Sequence, residues 1–170
     1  MPPPLALPPN TSQETFTRFI NQASQIVGAE NIQIVTAAED LKDGSYLEQP
    51  YTHDGHHLLD RDYFVASAVI CPRSVPDVQA LVRLANDAQI PLWPTSVGRN
   101  LGYGGAAPRL RGSVVLNLGN HMRRVLEVNV DGAYAVVEPG VTFSDLYQYL
   151  VDHNLQEKLW IDVRLELPRL

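Results

Sequence analysis

The sequence predicts an α+β protein, and three observations carry that prediction. Three segments place apolar residues at helical spacing behind a capping residue. Between and after them lie short β-branched runs bounded by proline, glycine and polar turns. Their order is helix, strand, helix, strand, then three strands and a helix, without internal repeat, which suits a layered α+β or α/β arrangement. At 170 residues the chain has the length of one domain able to bury its own core.

The first residues, MPPPLALPPN, form a proline-stiffened arm of polyproline character. In TSQETFTRFINQASQIVG a capping box from Thr11 to Glu14 precedes Phe16, Phe19, Ile20, Ala23, Ile26 and Val27, one face of an amphipathic helix that stops at Gly28. NIQIVTA is a short strand, and the polar, turn-rich EDLKDGSYLEQPYTHDGHHLLDRD after it puts its histidines on a loop. YFVASAVICP reads as a strand ended by Pro72. Ser74 with Asp77 then starts a helix whose Val78, Leu81, Val82 and Ala85 share a face. IPLWP is the next strand, and beyond a glycine-rich stretch GSVVLNL, RRVLEVNV and YAVVEPG are three more. The last two are joined at Asp131 and Gly132 by a turn suited to a hairpin. Thr142, capped toward Asp145, opens the last helix, with Phe143, Leu146 and Leu150 facing inward.

Thirteen basic against 19 acidic residues leave a net charge of −6, and the acids are spread along the chain. That balance provides no electrostatic footprint for nucleic acid or anionic lipid, so the expected partner is a small molecule or another protein. The single cysteine, Cys71, has no intramolecular disulfide partner and no base beside it in sequence, and is expected as a small buried residue. The amino terminus lacks the charged and long apolar regions of a secretion signal, and no run approaches a membrane span. The expected location is therefore intracellular, cytoplasmic or peroxisomal, although the terminal PRL is not a clear S-K-L address.

The stretch PLWPTSVGRNLGYGG places a short apolar run directly in front of four glycines, Gly98, Gly102, Gly104 and Gly105. Glycines accept positive φ and let a ligand approach main-chain amides, so a strand followed by such a loop is suited to cradling phosphate. Neither standard phosphate motif is present: there is no G-x-x-x-x-G-K-[ST], and the glycines do not match G-x-G-x-x-G entering a helix. On residue types alone, a phosphate cradle and a long glycine turn without ligand are both open.

PLWPTSVGRNLGYGGAAPR, with RVLEVNVDGAYAVVEPGVT after it and YTHDGHHLLDRDYFVASA before it, strongly resembles vanillyl-alcohol oxidase and its 4-alkylphenol-oxidising relatives. The resemblance runs from about GSYLEQPYTHD to KLWIDV and continues more loosely into the first helix. It implies the first subdomain of the FAD-binding fold of that family, a PCMH-type FAD-binding domain, with FAD as cofactor. Ser96, Val97, Gly98, Arg99, Asn100, Leu101, Gly102, Gly104 and Gly105 match the loop that wraps the FAD pyrophosphate, and Glu138, Pro139, Gly140 and Val141 the stretch along the dinucleotide.

Tyr103, between glycines, reads either as a loop tyrosine or as a hydroxyl aimed at a substrate oxygen. The resemblance implies the latter, a catalytic residue that helps hold the substrate as a phenolate, which eases hydride departure from the para substituent. The group His53, Asp54, His56, His57, Asp60 and Asp62 contains suitable metal ligands, but its spacing fits no standard zinc pattern and a solvated loop explains it equally. The resemblance implies that His56, with Asp54 hydrogen-bonding nearby, assists covalent attachment of FAD to a histidine elsewhere; an imidazole exchanges protons near neutral pH. No metal is assigned. Arg99 and Arg109 flank the loop as charge partners for pyrophosphate or as ordinary surface cations, and Trp93 and Trp160 are expected in the core.

After KLWIDV the relatives continue with a proline, an aspartate and a glycine-rich turn, whereas this chain reads RLELPRL and places Leu165 at the aspartate position. The resulting expectation is a truncated amino-terminal piece of such a flavoenzyme. Residues 1–10 would form the arm, 11–61 the first helix, strand and histidine loop, 62–163 the FAD-binding part, and 164–170 an aberrant tail. A phenolic small molecule is the expected substrate of the intact parent. The 170-residue chain alone is expected to be poorly soluble, to bind FAD weakly and to lack oxidase turnover. The alternative is a non-catalytic fragment or pseudo-enzyme that binds only FAD or a partner, such as a full-length relative.

Overall fold

The computed structural model describes residues 1–36, 65–97 and 107–161. The chain divides into two compact units, Met1–His121 and Met122–Leu170.

The first unit opens with the proline arm, which packs onto the sheet: the Leu5 N–H donates to the Val35 carbonyl at 2.6 Å, and Ala6 and Pro8 are buried. Helix α1, Gln13–Val27, is capped by Ser12, whose hydroxyl accepts from the Thr15 N–H. The expected cap at Thr11 is therefore one residue early. Ser and Thr are both good caps, and Ser12 is the one whose extended backbone aims its oxygen at the first turn. Phe16, Phe19, Ile20, Ala23 and Val27 form the buried stripe of this helix.

Strands β1 (Ile32–Ile34), β2 (Ala68–Ile70), β3 (Leu92–Thr95) and β4 (Val114–Asn117) make one sheet in the order β1-β2-β4-β3. β1 runs antiparallel to β2, while β2, β4 and β3 are mutually parallel. Helix α2, Val75–Ala88, supplies the crossover from β2 to β3. Ser74 caps it by accepting from the Asp77 N–H, and Asp77 accepts from the Arg73 N–H. β2 is fully buried, as expected of a strand covered on both faces.

One face of the sheet packs Ala68, Ile70, Val114 and Leu116 against the α1 stripe and against Leu81 and Ala85 of α2. The other packs Val69 and Val115 with Val35, Val65, Ala66, Ala107 and Ala6 of the arm, and Trp93 joins it partly buried. Val82 departs from its expected inward place and is 48% exposed. It lies a third of a turn beyond Leu81, off the stripe that Leu81 and Ala85 set.

The second unit contains the antiparallel hairpin β5 (Val125–Asn129) and β6 (Tyr134–Val137), followed by helix α3, Phe143–Asp152. The turn falls at Asp131 and Gly132 as expected, closed by an Ala133 N–H to Val130 carbonyl bond and by the Asn129 carboxamide oxygen on the Gly132 N–H. The left-handed backbone sits on Ala133, at φ 51°, and not on the glycine. Register slips between Val125 and Glu127, leaving Leu126 bulged. A complete capping box between Thr142 and Asp145 starts α3, and Leu150 is buried.

Two further expectations fail in this unit. Phe143 is 48% exposed and Trp160 75% exposed. Phe143 is the first residue of α3, a turn and more from the buried Leu150, and does not share its inward position; Trp160 follows that helix in irregular backbone and not in the strand its apolar run suggested. Among the described residues, no helix is long and apolar enough to cross a membrane.

Candidate functional site

The three parallel strands end at Ile70, Thr95 and Asn117, and register aligns Ile70 with Leu116 and Thr95 with Asn117. Parallel strands thus present their carboxyl ends along one edge, where open α/β sheets hold ligands. Ser96 and Val97 leave β3 at this edge and begin the segment that returns to β4. Gly98, Arg99, Asn100, Leu101, Gly102, Tyr103, Gly104 and Gly105 lie outside the described residues, as do Asp54 and His56.

The start of the loop is set by Gly119. A Cβ there would stand 2.6 Å from the Ser96 carbonyl carbon and oxygen and 2.9 Å from the Val97 nitrogen, so only glycine lets the backbone after β4 lie against the backbone after β3. Beside it, the Asn117 side-chain oxygen is buried without a hydrogen-bond partner among the described residues. A buried acceptor of this kind costs free energy unless something donates to it, so its position at the carboxyl edge suits a ligand bearing hydroxyl or amino groups. The Ser67 hydroxyl is the other such atom among the described residues, but it precedes β2 at the opposite, amino end.

At the end of β2, the Cys71 N–H donates to the Asn31 carbonyl at 2.9 Å, and the Asn31 carboxamide oxygen meets His121 Nε2 at 2.8 Å. Cys71 is half-buried, and burial pushes its thiol pKa up against a smaller lowering by a hydrogen bond with Asn120. It remains a protonated, weakly reactive thiol at neutral pH. The N-terminus of α2 is already filled by the Asp77 carboxylate, which removes it as an anion site. Arg109 places its guanidinium 6.0 Å from the Trp93 ring centre and donates to the Ala107 carbonyl.

Glu138, Pro139, Gly140 and Val141 belong to the second unit. Glu138 and Gly140 are buried, Val141 is partly buried and Pro139 is exposed. The main-chain donors here are spent within the unit: Glu138 N–H on the Arg124 carbonyl, Gly140 N–H on the Met122 carbonyl, Val141 N–H on the Glu138 carbonyl and Thr142 N–H on Asp145. Proline has no N–H. This turn therefore has no main-chain N–H left over for a phosphate.

Sequence reading missed Asn117 and Arg124. Arg124 was legible, because folding the hairpin about its Asp-Gly turn sets it opposite Glu138, and an acid within an apolar run needs a cation. Asn117 carried no such signal, since an asparagine ending a strand is ordinary.

Comparison with known proteins places these elements in context. A family model described as an FAD binding domain matches residues 66–160. The 4-cresol dehydrogenase [hydroxylating] flavoprotein subunit of Pseudomonas putida is 32% identical over 149 residues, covering 88% of this chain and 26% of its own length. The 4-ethylphenol oxidase of Gulosibacter chungangensis, solved with isoeugenol, superposes with a TM-score of 0.73 at 42% identity, over 88% of this chain and 27% of that one. The p-cresol methylhydroxylase solved with substrate bound gives a TM-score of 0.73 at 32% identity, with the same coverage of 88% and 27%. This chain thus spans about a quarter of the length of these relatives.

Proposed function

Because the chain belongs to the FAD binding domain family, we propose that it forms the FAD-binding part of a flavoenzyme that oxidises para-substituted phenols. FAD is the cofactor of this domain. Support for the phenol class comes from the similar proteins, whose names specify 4-cresol, 4-ethylphenol and p-cresol. The division that assigns residues 62–163 to cofactor binding is part of this reading, and the match over residues 66–160 supports it.

The residues present fit FAD. In the first unit Asn117 offers a buried acceptor to a hydroxyl or amino group and Gly119 holds Ser96 and Val97 at the sheet edge; in the second, taken by itself, the Gly140 and Val141 backbone offers carbonyls. The Ser96–Gly105 loop is assigned the pyrophosphate, because glycine amides approach phosphate closely and the Glu138–Val141 turn has no amide to spare. When bound, FAD supplies a two-electron acceptor. Tyr103 is assigned to orient a phenolic oxygen and hold it as the phenolate, and His56 with Asp54 to move the proton that covalent FAD attachment requires.

The single observation that carries this reading is the orphaned Asn117 oxygen at the carboxyl edge of a parallel sheet that the family match covers. Saturation-transfer NMR of the 170-residue chain with FAD, riboflavin and adenosine tests it and detects weak binding. Transfer to FAD that is lost in the Gly104→Val variant is expected. Equal transfer to all three ligands, or none to FAD, would sink the cofactor reading. A parallel assay of 4-ethylphenol oxidation separates a binding fragment from an enzyme.

A further inference from the structure

Among the described residues, the Glu138 carboxylate is engaged by Arg124 alone. Its side chain is 8% exposed, Oε2 accepts the Arg124 main-chain N–H at 2.7 Å, and Oε1 accepts Arg124 Nε at 3.1 Å and Nη2 at 2.7 Å. In return the Glu138 N–H donates to the Arg124 carbonyl at 2.9 Å. Two residues thereby close the open end of the β5–β6 hairpin, opposite its Asp131–Gly132 turn. The chain leaving this closure is stitched down at once, through the Gly140 N–H on the Met122 carbonyl at 2.8 Å and the Val141 N–H on the Glu138 carbonyl at 3.1 Å.

A carboxylate that accepts two guanidinium N–H groups on one oxygen and a main-chain amide on the other has three of about four acceptor sites filled and little capacity left for a cofactor hydroxyl. An isolated two-stranded hairpin is only marginally stable, so whatever locks its base also decides where the emerging backbone lies. We propose that Glu138 is a positioning residue which, through Arg124, fixes the Pro139–Val141 backbone where FAD meets it, and is not itself an FAD ligand. This rests on the reading of that turn as part of the FAD site.

The test uses the full 170-residue chain with E138Q, R124L, R124K, the E138Q/R124L double variant and, as control, E127Q. Glu127 bonds the Tyr134 hydroxyl elsewhere on the same hairpin, away from the clasp. Amide exchange is measured by NMR without FAD, and FAD affinity by NMR titration. E138Q and R124L are each expected to speed exchange at the Glu138 and Gly140 amides, leave β2 and β4 amides unchanged, and weaken FAD by about tenfold or more. The double variant is no weaker than the worse single one, R124K recovers part of the loss, and E127Q matches wild type.

An R124L chain that keeps wild-type FAD affinity while E138Q loses it makes Glu138 a direct ligand and overturns the proposal. Additive losses, or unchanged exchange in both variants, overturn it too. A wild-type chain that binds no FAD overturns the cofactor reading beneath it, and the exchange data then decide separately whether the clasp exists.

Discussion

Asn117 and Gly119 carry opposite predictions although they are neighbours on one edge. If the buried Asn117 oxygen is answered only by a ligand, Asn117→Leu removes an unsatisfied acceptor. Stability of the free protein in urea is then expected to hold or rise, while FAD affinity falls. A loss of stability without any effect on FAD would show that the oxygen has a partner within the protein. Gly119→Ala places a Cβ 2.6 Å from the Ser96 backbone and forces the start of the loop to move, with an expected cost of about 1–3 kcal/mol in urea denaturation. Glu138 yields a pH prediction of definite sign. Its hydrogen bond with the Arg124 side chain, aided by the Arg124 main chain, holds its pKa below the ordinary glutamate value. The clasp therefore contributes above the ordinary carboxylate range and is lost as pH falls through the lowered value. NMR titration of the Arg124 guanidinium signal is expected to give that depressed midpoint; an undepressed one refutes the clasp in solution.

Among the elements, the arm is the one whose role the sequence understated. Proline content indicated stiffness, but not that Leu5 would bond to Val35 or that Ala6 and Pro8 would be buried against the sheet. The arm can lie this close because Gly112, at φ 79°, has no Cβ to collide with the Leu7 carbonyl. Deleting residues 1–9 uncovers the face formed by Val35, Val65, Val69 and Val115. The expected loss is on the order of 2 kcal/mol, or roughly 4–8 °C in thermal midpoint. A calorimetric midpoint unchanged by the deletion would show the arm to be dispensable. The helices were legible because periodicity and capping are local: the stripes of α1 and α2 and the Thr142 box follow from adjacent residues. Strand extents were not, since among the described residues of YFVASAVICP only Ala68–Ile70 form paired strand, and pairing depends on where a distant partner runs out.

Across the whole molecule, burial is unevenly shared. Phe16, Phe19, Ile70, Leu81, Val114 and Val115 of the first unit are fully buried, whereas Leu126, Tyr134, Val136, Val137, Phe143, Tyr147 and Trp160 of the second stand exposed. Apolar surface of that extent favours association and dye binding. The chain is expected to bind an apolar fluorescent dye while folded, and amide exchange is expected to be slow in β2 and β4 and fast in β5 and β6. Uniform protection across both units would contradict this. The sequence by itself determined the α+β class, the helices, the hairpin turn and the FAD-binding family, because these depend on local spacing, turn chemistry and a recognisable run of residues. Only the tertiary structure decided that Asn117 is left without a donor among the described residues, that Gly119 lies on Ser96, and that Arg124 engages both oxygens of the Glu138 carboxylate. Each of those depends on atoms brought together from separate strands or opposite arms of a hairpin, and hydrogen-bond satisfaction becomes defined only once the chain has closed around them.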